Sequence, residues 1–150
     1  MNTWVVLLRG INVGGKNILP MKQLAALLVG LGSQNVQTYI QSGNVLLQHT
    51  ESNRQVLSEQ IAEQIEQKFD FKLQVLLLEI EQLKQAALSN PYPNAEVEPK
   101  ILHLFFLASS CANVNFDILK QIKKRQRILR TYRTGFLFAC TRWYWSVKVG

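Results

Sequence analysis

The chain has 150 residues, of which 47% are hydrophobic, and its formal net charge is +7. This size and composition predict a globular protein with one good core, built as a single body or as two small halves, and exclude an intrinsically disordered chain. The start of the sequence lacks the basic and apolar regions of a signal peptide, and no stretch approaches the roughly 18 apolar residues of a membrane span. We therefore expect a soluble cytoplasmic protein, a monomer or homodimer, with no membrane partner.

The positive charge is concentrated towards the end of the chain. Residues 1–117 contain eight Lys or Arg and all ten Asp or Glu, whereas residues 118–150 contain nine Lys or Arg and no acid. A basic run near aromatic residues can bind nucleic acid. The interpretation that we favour is a solvated helix face, formed by Lys120, Lys123, Lys124 and Arg127.

The cysteines and histidines do not have the spacing of a metal site. Cys111 and Cys140 are expected to be buried thiols in a reducing compartment. His103 lies in an apolar segment, far in sequence from His49, and this favours a position in the core or on a sheet face. The sequence therefore indicates neither a metal ion nor a cofactor.

The first elements of the chain are a strand and a helix. The apolar run 4–8 predicts a buried strand, because it has no polar interruption and includes β-branched residues. The following helix has Pro20 at its first position and Gly32 as its cap. Its apolar stripe consists of Leu24, Leu27, Leu28 and Leu31.

A β-hairpin and a second helix follow. Residues 36–40 and 45–47 predict two short strands around the turn Gln41-Ser42-Gly43-Asn44. Ser52 can cap a long helix, and residues 73–78 predict the next buried strand. The apolar residues of that helix repeat at four-residue spacing, namely Leu57, Ile61, Ile65 and Phe69.

The resulting order, β-α-β-β-α-β, predicts an α+β fold with a ferredoxin-like sandwich over residues 1–79, in which two helices cover one face of a four-stranded antiparallel sheet. Residues 80–150 are expected to form a smaller α+β subdomain, with a connector at the prolines of residues 90–93. Its predicted elements are a helix over 80–88, a strand over 101–107, a helix capped by Asn115 or Asp117, and a closing hairpin of 126–132 and 135–139.

The most distinctive stretch is the glycine-rich loop Gly10–Asn17, between the first strand and the first helix. Glycine can adopt positive φ and let backbone N–H groups approach an anion, and Arg9 and Lys16 add positive charge. The spacing also fits the phosphate-binding pattern G-x-x-x-x-G-K. However, Asn17 stands where a hydroxyl should hold Mg²⁺, and the helix begins only at Pro20. The loop is therefore either a tight turn without further function or a binding loop of another kind.

The predicted topology brings this loop next to the hairpin turn. A right-handed crossover makes the first two strands run in the same direction, so the first strand ends at the sheet edge where the hairpin turns. We therefore predict one site for a polar or anionic ligand at this edge. Its candidate residues are Arg9, Gly10, Asn12, Gly14, Gly15, Lys16, Asn17, Tyr39, Gln41, Ser42, Gly43 and Asn44.

Three functions remain open at this point. The first is binding of a phosphate-bearing ligand or nucleic acid, helped by the C-terminal cations. The second is an enzyme acting on a small polar or phosphorylated metabolite, for which the two motifs offer only Lys16, Tyr39 and Ser42 as reactive groups. The third is a structural or oligomeric scaffold.

Two segments of the chain resemble a known family. Residues 8–17 with Pro20-Met21, and then Thr38–Val45, are similar to motifs of the bacterial family called domain of unknown function 1697. The resemblance is close over about the first fifty residues and implies a compact α+β fold with a ferredoxin-like subdomain. It implies no substrate and no catalytic residue.

The last ten residues depart from this resemblance. After Ala139 the family pattern continues as Pro-Asp-Gly-Ile-Gly-Arg-Ser-Lys-Leu, whereas this chain reads TRWYWSVKVG over residues 141–150. Permitted codons for these residues, read one base later, encode the family segment, and both of its glycines follow from the TGG codons of Trp143 and Trp145. We therefore hypothesise a frameshift near Cys140 that leaves the second subdomain incomplete, with chance agreement as the alternative. The nucleotide sequence beyond the Ala139 codon distinguishes the two.

Overall fold

The structure is a computed structural model, and it describes residues 1–92, 102–106, 127–132 and 136–141. The chain divides into two compact units, residues 1–85 and residues 86–149. The division falls within helix α3, Ile80–Leu88. The subdomain boundary after residue 79 stays a prediction.

The first unit contains a four-stranded antiparallel sheet and two helices. Its strands lie in the order β2-β3-β1-β4, and every neighbouring pair is antiparallel. This strand order is that of the ferredoxin-like sandwich, and the predicted α+β fold class is confirmed. In chain order the elements are β1 (Asn2–Leu8), α1 (Met21–Gly30), β2 (Gln34–Tyr39), β3 (Asn44–His49), α2 (Arg54–Phe69) and β4 (Val75–Glu79).

Both helices pack on the same face of this sheet. Alternate strand residues point to one side of a sheet, whereas helix residues three or four apart share a stripe. The structure buries these sets together in one core, and each fully buried Leu or Ile contributes about 1.5–3 kcal/mol to folding. The core includes Trp4, Val6 and Leu8 of β1, Leu24 and Leu28 of α1, Val45 and Leu47 of β3, Leu57, Ile61 and Ile65 of α2, and Leu77 of β4.

The helix starts differ by one residue from the predictions. Pro20 has an extended backbone, with φ −63° and ψ 127°, so it precedes α1 and does not occupy its first helical position. The residue that caps α2 is Asn53 and not Ser52. Gln55 and Val56 lie in the first turn of α2, where backbone N–H groups have no partner within the helix. The carboxamide oxygen of Asn53 accepts a hydrogen bond from each of these two N–H groups.

The second unit contains the end of α3 and a three-stranded antiparallel sheet of order β5-β7-β6. Its strands are β5 (Leu102–Phe106), β6 (Arg127–Tyr132) and β7 (Phe136–Thr141). Pairing of β6 with β7 agrees with the predicted closing hairpin. His103 lies in β5 with its ring 6.3 Å from that of Phe105, as expected of a residue on a sheet face. Arg127, which was predicted to share a helix face with Lys120, Lys123 and Lys124, instead begins the strand β6. The predictions for these three lysines, for a helix after Asn115 or Asp117, and for the burial of Cys111 and Cys140 lie outside the described residues.

Candidate functional site

The loop between β1 and α1 folds back on itself as a small hairpin. Val13 and Lys16 form an antiparallel bridge, and the Lys16 N–H donates to the Val13 carbonyl at 3.1 Å. Between them, Gly14 and Gly15 have φ values of +59° and +74°. Two successive residues with positive φ characterise the type I′ turn, which suits Gly-Gly. These two glycines therefore determine the shape of the loop tip.

The side chain of Asn12 fixes the loop to the rest of the unit. Its Oδ1 accepts the Leu19 N–H at 2.8 Å, and its Nδ2 donates to the carbonyls of Leu19 at 3.0 Å and Gln41 at 3.2 Å. The bond to Gln41 connects the loop to the β2–β3 turn, so the predicted proximity of these two segments is confirmed. Because its polar atoms are engaged in this way, Asn12 stabilises the loop and has little capacity left for a ligand.

The β2–β3 turn packs against the base of the loop. The Leu8 N–H donates to the Gly43 carbonyl at 3.1 Å. A Cβ on Gly43 would lie 2.6 Å from Cδ1 of Ile11 and 2.9 Å from Cβ of Leu8, and the φ of Gly43 is +77°. Gly43 thus allows a close approach of turn and loop, which is a packing role, and its part in ligand binding stays a prediction.

The remaining polar side chains at this edge differ in whether they already form hydrogen bonds within the protein. Asn17 Nδ2 donates to the Gly10 carbonyl at 3.0 Å, and Ser42 Oγ donates to the Tyr39 carbonyl at 3.2 Å. Asn44 has a buried Oδ1 with no hydrogen-bond partner within the described part of the chain. Asn17 and Ser42 are therefore engaged with the protein itself, whereas the Asn44 oxygen has no such partner, and the convergence of these residues on a ligand stays a prediction.

Two exposed cations, Arg9 and Lys16, lie on segments that meet at the base of the loop. The Asn17–Gly10 hydrogen bond joins the two backbone segments that carry Lys16 and Arg9, each of which is adjacent in sequence to one of the bonded residues. Both are exposed, and neither forms an ion pair with a described residue. Residues 1–50 contain Arg9, Lys16 and Lys22 but no Asp or Glu. This part of the chain therefore carries positive charge without internal compensation.

An open cleft of about 410 Å³ lies beside the loop, at the side of β4. Sequence reasoning placed the start of the last strand at residue 73, but β4 begins at Val75, which leaves 73 and 74 in the segment that enters the sheet. Antiparallel pairing of β1 with β4 puts this segment at the end of β1, where Leu8 pairs with Val75. The described residues that line the cleft are Arg9, Gly10, Lys72, Leu73 and Gln74.

Lys72 is a third cation of this edge, and sequence reasoning did not include it. Its ammonium lies 3.3 Å from the carboxylate of Glu66, and both side chains are largely exposed. Such a pair contributes little, about 0–1 kcal/mol, so Lys72 can exchange this partner for another anion. The predicted antiparallel sheet could have indicated this position for Lys72, because it places the start of the fourth strand beside the end of the first.

Several large apolar side chains on or beside the glycine-rich loop and the β2–β3 turn are exposed. Each lies within two residues of Asn12, Asn17 or Gln41, which hydrogen bonds join to one another. Ile40 has a φ of +46°, in the left-handed region that β-branched residues seldom adopt. Sequence reasoning included only the aromatic member of the group, which consists of Val13 (67% exposed), Ile18 (63%), Tyr39 (68%) and Ile40 (62%).

Comparison with known families identifies the protein's relatives. The family model described as protein of unknown function, DUF1697, matches residues 1–135. The chain belongs to the DUF1697 family. Residues 136–150 lie outside the match, and the hypothesis of a shifted reading frame after Cys140 stays a prediction.

A solved structure supports the fold of this DUF1697 chain. The conserved bacterial protein SP0830 from Streptococcus pneumoniae is similar, with a TM-score of 0.68 and 23% sequence identity over 93% of this chain and 77% of that chain. At this identity, the similarity shows the fold alone. A search of curated proteins finds no match.

The described residues of the DUF1697 chain contain no cluster of three or more His, Cys, Asp or Glu that could hold a metal ion. In the same residues, no helix has the length and apolar character needed to cross a bilayer. What the loop region does present is a group of cations beside exposed glycines and apolar side chains, at one edge of a sheet.

Proposed function

We propose that this protein binds a phosphate-bearing ligand at the sheet edge formed by the glycine-rich loop and the cleft beside β4. The observation that carries the proposal is that Arg9 and Lys16, on backbone segments joined by the Asn17–Gly10 hydrogen bond, are exposed, lack an acidic partner among the described residues and lie in a segment without carboxylates. Cations held together without a counter-charge repel each other, and an anion removes that cost.

The groups at this edge complement a phosphate in geometry as well as in charge. A guanidinium can form two parallel hydrogen bonds to phosphate oxygens, and lysine supplies a mobile point charge. The N–H groups of Gly14 and Gly15 donate to no backbone carbonyl of the described residues. Successive free N–H groups in such a turn form a concavity that suits anions. Arg9, Lys16 and the loop tip can therefore contact one phosphate group or two adjacent ones.

Binding is better supported than catalysis at this edge. Of the three reactive candidates, Ser42 donates its hydroxyl proton to the Tyr39 carbonyl. In the part of the chain that the structure describes, no histidine, cysteine or carboxylate hydrogen-bonds to Ser42, Lys16 or Tyr39. Nucleophilic or acid–base catalysis requires such a partner within hydrogen-bond reach.

The proposal can be tested by calorimetric titration with tripolyphosphate at low ionic strength. We expect Arg9→Ala and Lys16→Ala each to weaken binding about tenfold, the effect of losing one charge-assisted hydrogen bond. Arg54→Ala is the matched control, because Arg54 is exposed but begins α2 at the opposite end of the sheet. Unchanged affinity in both loop variants, or no binding by the wild type at low salt, would disprove the proposal.

A further inference from the structure

An exposed aromatic ring shares the sheet face that leads to the proposed anion site. Tyr39 is the last residue of β2 and pairs with Asn44 of β3, which in turn pairs with Leu7 of β1. The alternate residues of these strands, Val36, Val45 and Leu8, pack in the core under the helices. Because strand side chains alternate between faces, Tyr39, Asn44 and Leu7 lie on the face away from the helices.

The cationic cleft lies at the other end of this row of residues. Two strand spacings separate Tyr39 from Leu7, and Arg9 lies two residues beyond Leu7, so the Cα atoms of Tyr39 and Arg9 are about 12 Å apart by ideal sheet geometry. Tyrosine and arginine have long side chains, which can shorten this gap considerably. A flat group resting on Tyr39 and an anion held by Arg9 can therefore belong to one short, extended molecule.

We infer that the phosphate-bearing ligand is a single-stranded nucleic acid, with a base stacked on Tyr39 and its phosphates at Arg9, Lys16 and Lys72. This inference rests on the proposed function and adds the chemical class of the ligand. Single strands are bound without base pairing by a combination of cations that follow the backbone and aromatic rings that stack on bases. Both parts are present at the same end of the sheet, with Tyr39 at the end of β2 and the cations after β1 and before β4.

The other exposed side chains fit this ligand. Ile40 and Val13 flank the ring and the loop tip, and both are more than half exposed. Aliphatic groups at such positions can cover the faces or edges of bases that do not stack on the ring. The positive charge of residues 1–50 also argues against a second copy of this chain as the occupant, because a symmetric contact would bring like charges together.

Hydrogen bonds and close packing within the protein connect the loop to the turn. Asn12 connects the loop to the turn through its bonds to Leu19 and Gln41, and Gly43 packs directly on Ile11 and Leu8. A surface held in this way loses little conformational entropy on binding, which favours affinity for a flexible strand. Tyr39 itself is held in β2 by its pairing with Asn44 of β3.

The test compares a fluorescein-labelled thymidine oligonucleotide with an abasic oligonucleotide of the same length, by fluorescence anisotropy at low salt. The abasic strand has the phosphates but no bases, so the difference between the two affinities reports base contacts. We expect Tyr39→Ala to weaken binding of the thymidine strand at least about fivefold, to the level of the abasic strand. Tyr39→Phe should retain the wild-type affinity, since the ring and not the hydroxyl provides stacking.

The same variants separate this inference from the proposed function. If tripolyphosphate and both strands bind through Arg9 but Tyr39→Ala changes nothing, the ligand is a phosphate compound without a base contact, and the nucleic-acid inference is wrong. If oligonucleotide binding persists when Arg9, Lys16 and Tyr39 are all replaced by alanine, the strand lies elsewhere, for example on the basic segment 120–130, and the inference is again overturned. Because Tyr39 is exposed, its replacement leaves the core intact, and circular dichroism checks that the variants are folded.

Discussion

At one end of the four-stranded sheet, His49 is buried and both of its ring nitrogens have hydrogen-bond partners. Nε2 lies 3.0 Å from the Leu31 carbonyl, and Nδ1 accepts the Glu51 N–H at 2.9 Å. At the opposite end, Arg9 and Lys16 are exposed and have no acidic partner among the described residues. We call the first the far end, residues 31–33 and 49–53, and the second the loop end, residues 9–19, 40–43 and 72–74.

The two ends also differ in the burial of large apolar side chains and in backbone conformation. At the far end, the Glu51 carbonyl accepts a hydrogen bond from Nε1 of the buried Trp4 of β1, and Asn53 caps α2. At the loop end, large apolar side chains are exposed, and Ile40 adopts an unfavourable φ. The Trp4–Glu51 hydrogen bond and the Asn53 cap stabilise the far end, although the buried hydroxyl of Ser33 there has no hydrogen-bond partner among the described residues. Exposed large apolar side chains and a β-branched residue at positive φ, as at the loop end, are common for binding surfaces.

The largest expected effect comes from the packing beneath the loop end. Gly43→Ala should lower the free energy of unfolding by about 3 kcal/mol, because the new Cβ collides with Leu8 and Ile11 and because alanine is strained at positive φ. Gly14 is the matched control, since its φ is +59° but a Cβ there would meet no atom within 4 Å. Gly14→Ala should cost about 1 kcal/mol. Urea unfolding followed by circular dichroism measures both.

Equal losses in the two glycine variants would contradict this account. In that case the cost would come from backbone conformation alone, and the turn would not be packed tightly on the loop. A large loss for Gly43→Ala with a small loss for Gly14→Ala instead shows that the exposed loop tip rests on a well-packed base. The loop end would then combine a tightly packed base at Gly43 with a loop tip that is open to solvent.

The second prediction concerns the far end. His49→Ala should lower the free energy of unfolding by about 2 kcal/mol, because it leaves the Leu31 carbonyl and the Glu51 N–H without their partner in a buried setting. The neutral imidazole carries its proton on Nε2, since Nδ1 accepts a hydrogen bond. His49→Gln, which keeps one donor and one acceptor, should lose less. The same urea unfolding experiment applies.

A third prediction, for the same His49→Ala variant, makes the comparison between the ends direct. His49→Ala should leave tripolyphosphate binding unchanged under conditions where the variant is folded, because the far end is separated from Arg9 by the length of β1. A loss of binding in the folded variant would mean that the two ends are coupled. The division between a stabilising end and a binding end would then be wrong.

The order of elements and the meeting of loop and turn could be predicted from sequence because they depend on local patterns. Apolar alternation and four-residue spacing identify strands and helices directly, and the handedness of the crossover then sets the topology. The helix starts were less accurate, since Ser52 and Asn53 are adjacent and both are good caps. Which one caps α2 depends on the backbone path into the helix, which composition does not reveal.

The roles of individual site residues were harder to predict. Asn12 and Asn17 have the chemistry of ligand-binding groups, but in the structure their carboxamides bond to Leu19, Gln41 and Gly10. A side chain with several donors and acceptors can serve the fold or a ligand, and only the surrounding backbone decides between them. Lys72 was missed for a related reason, because it joins the site through pairing of β4 with β1. Such pairing is non-local, so no pattern within residues 70–75 signals it.

The smallest expected effect lies at Ile40, and its sign is opposite to that of the other substitutions. Ile40→Asn should raise the free energy of unfolding by up to about 1 kcal/mol, because asparagine tolerates the left-handed region better than a β-branched residue does. Ile40 is 62% exposed, so its replacement loses little apolar burial. Val13→Asn is the control, since Val13 is equally exposed but does not have a positive φ, and it should bring no gain. If Ile40→Asn stabilises the fold and at the same time weakens binding of the thymidine strand, the isoleucine is kept for the ligand at a cost in stability. If it destabilises the fold instead, Ile40 has a packing role, and one of the contrasts between the two ends disappears.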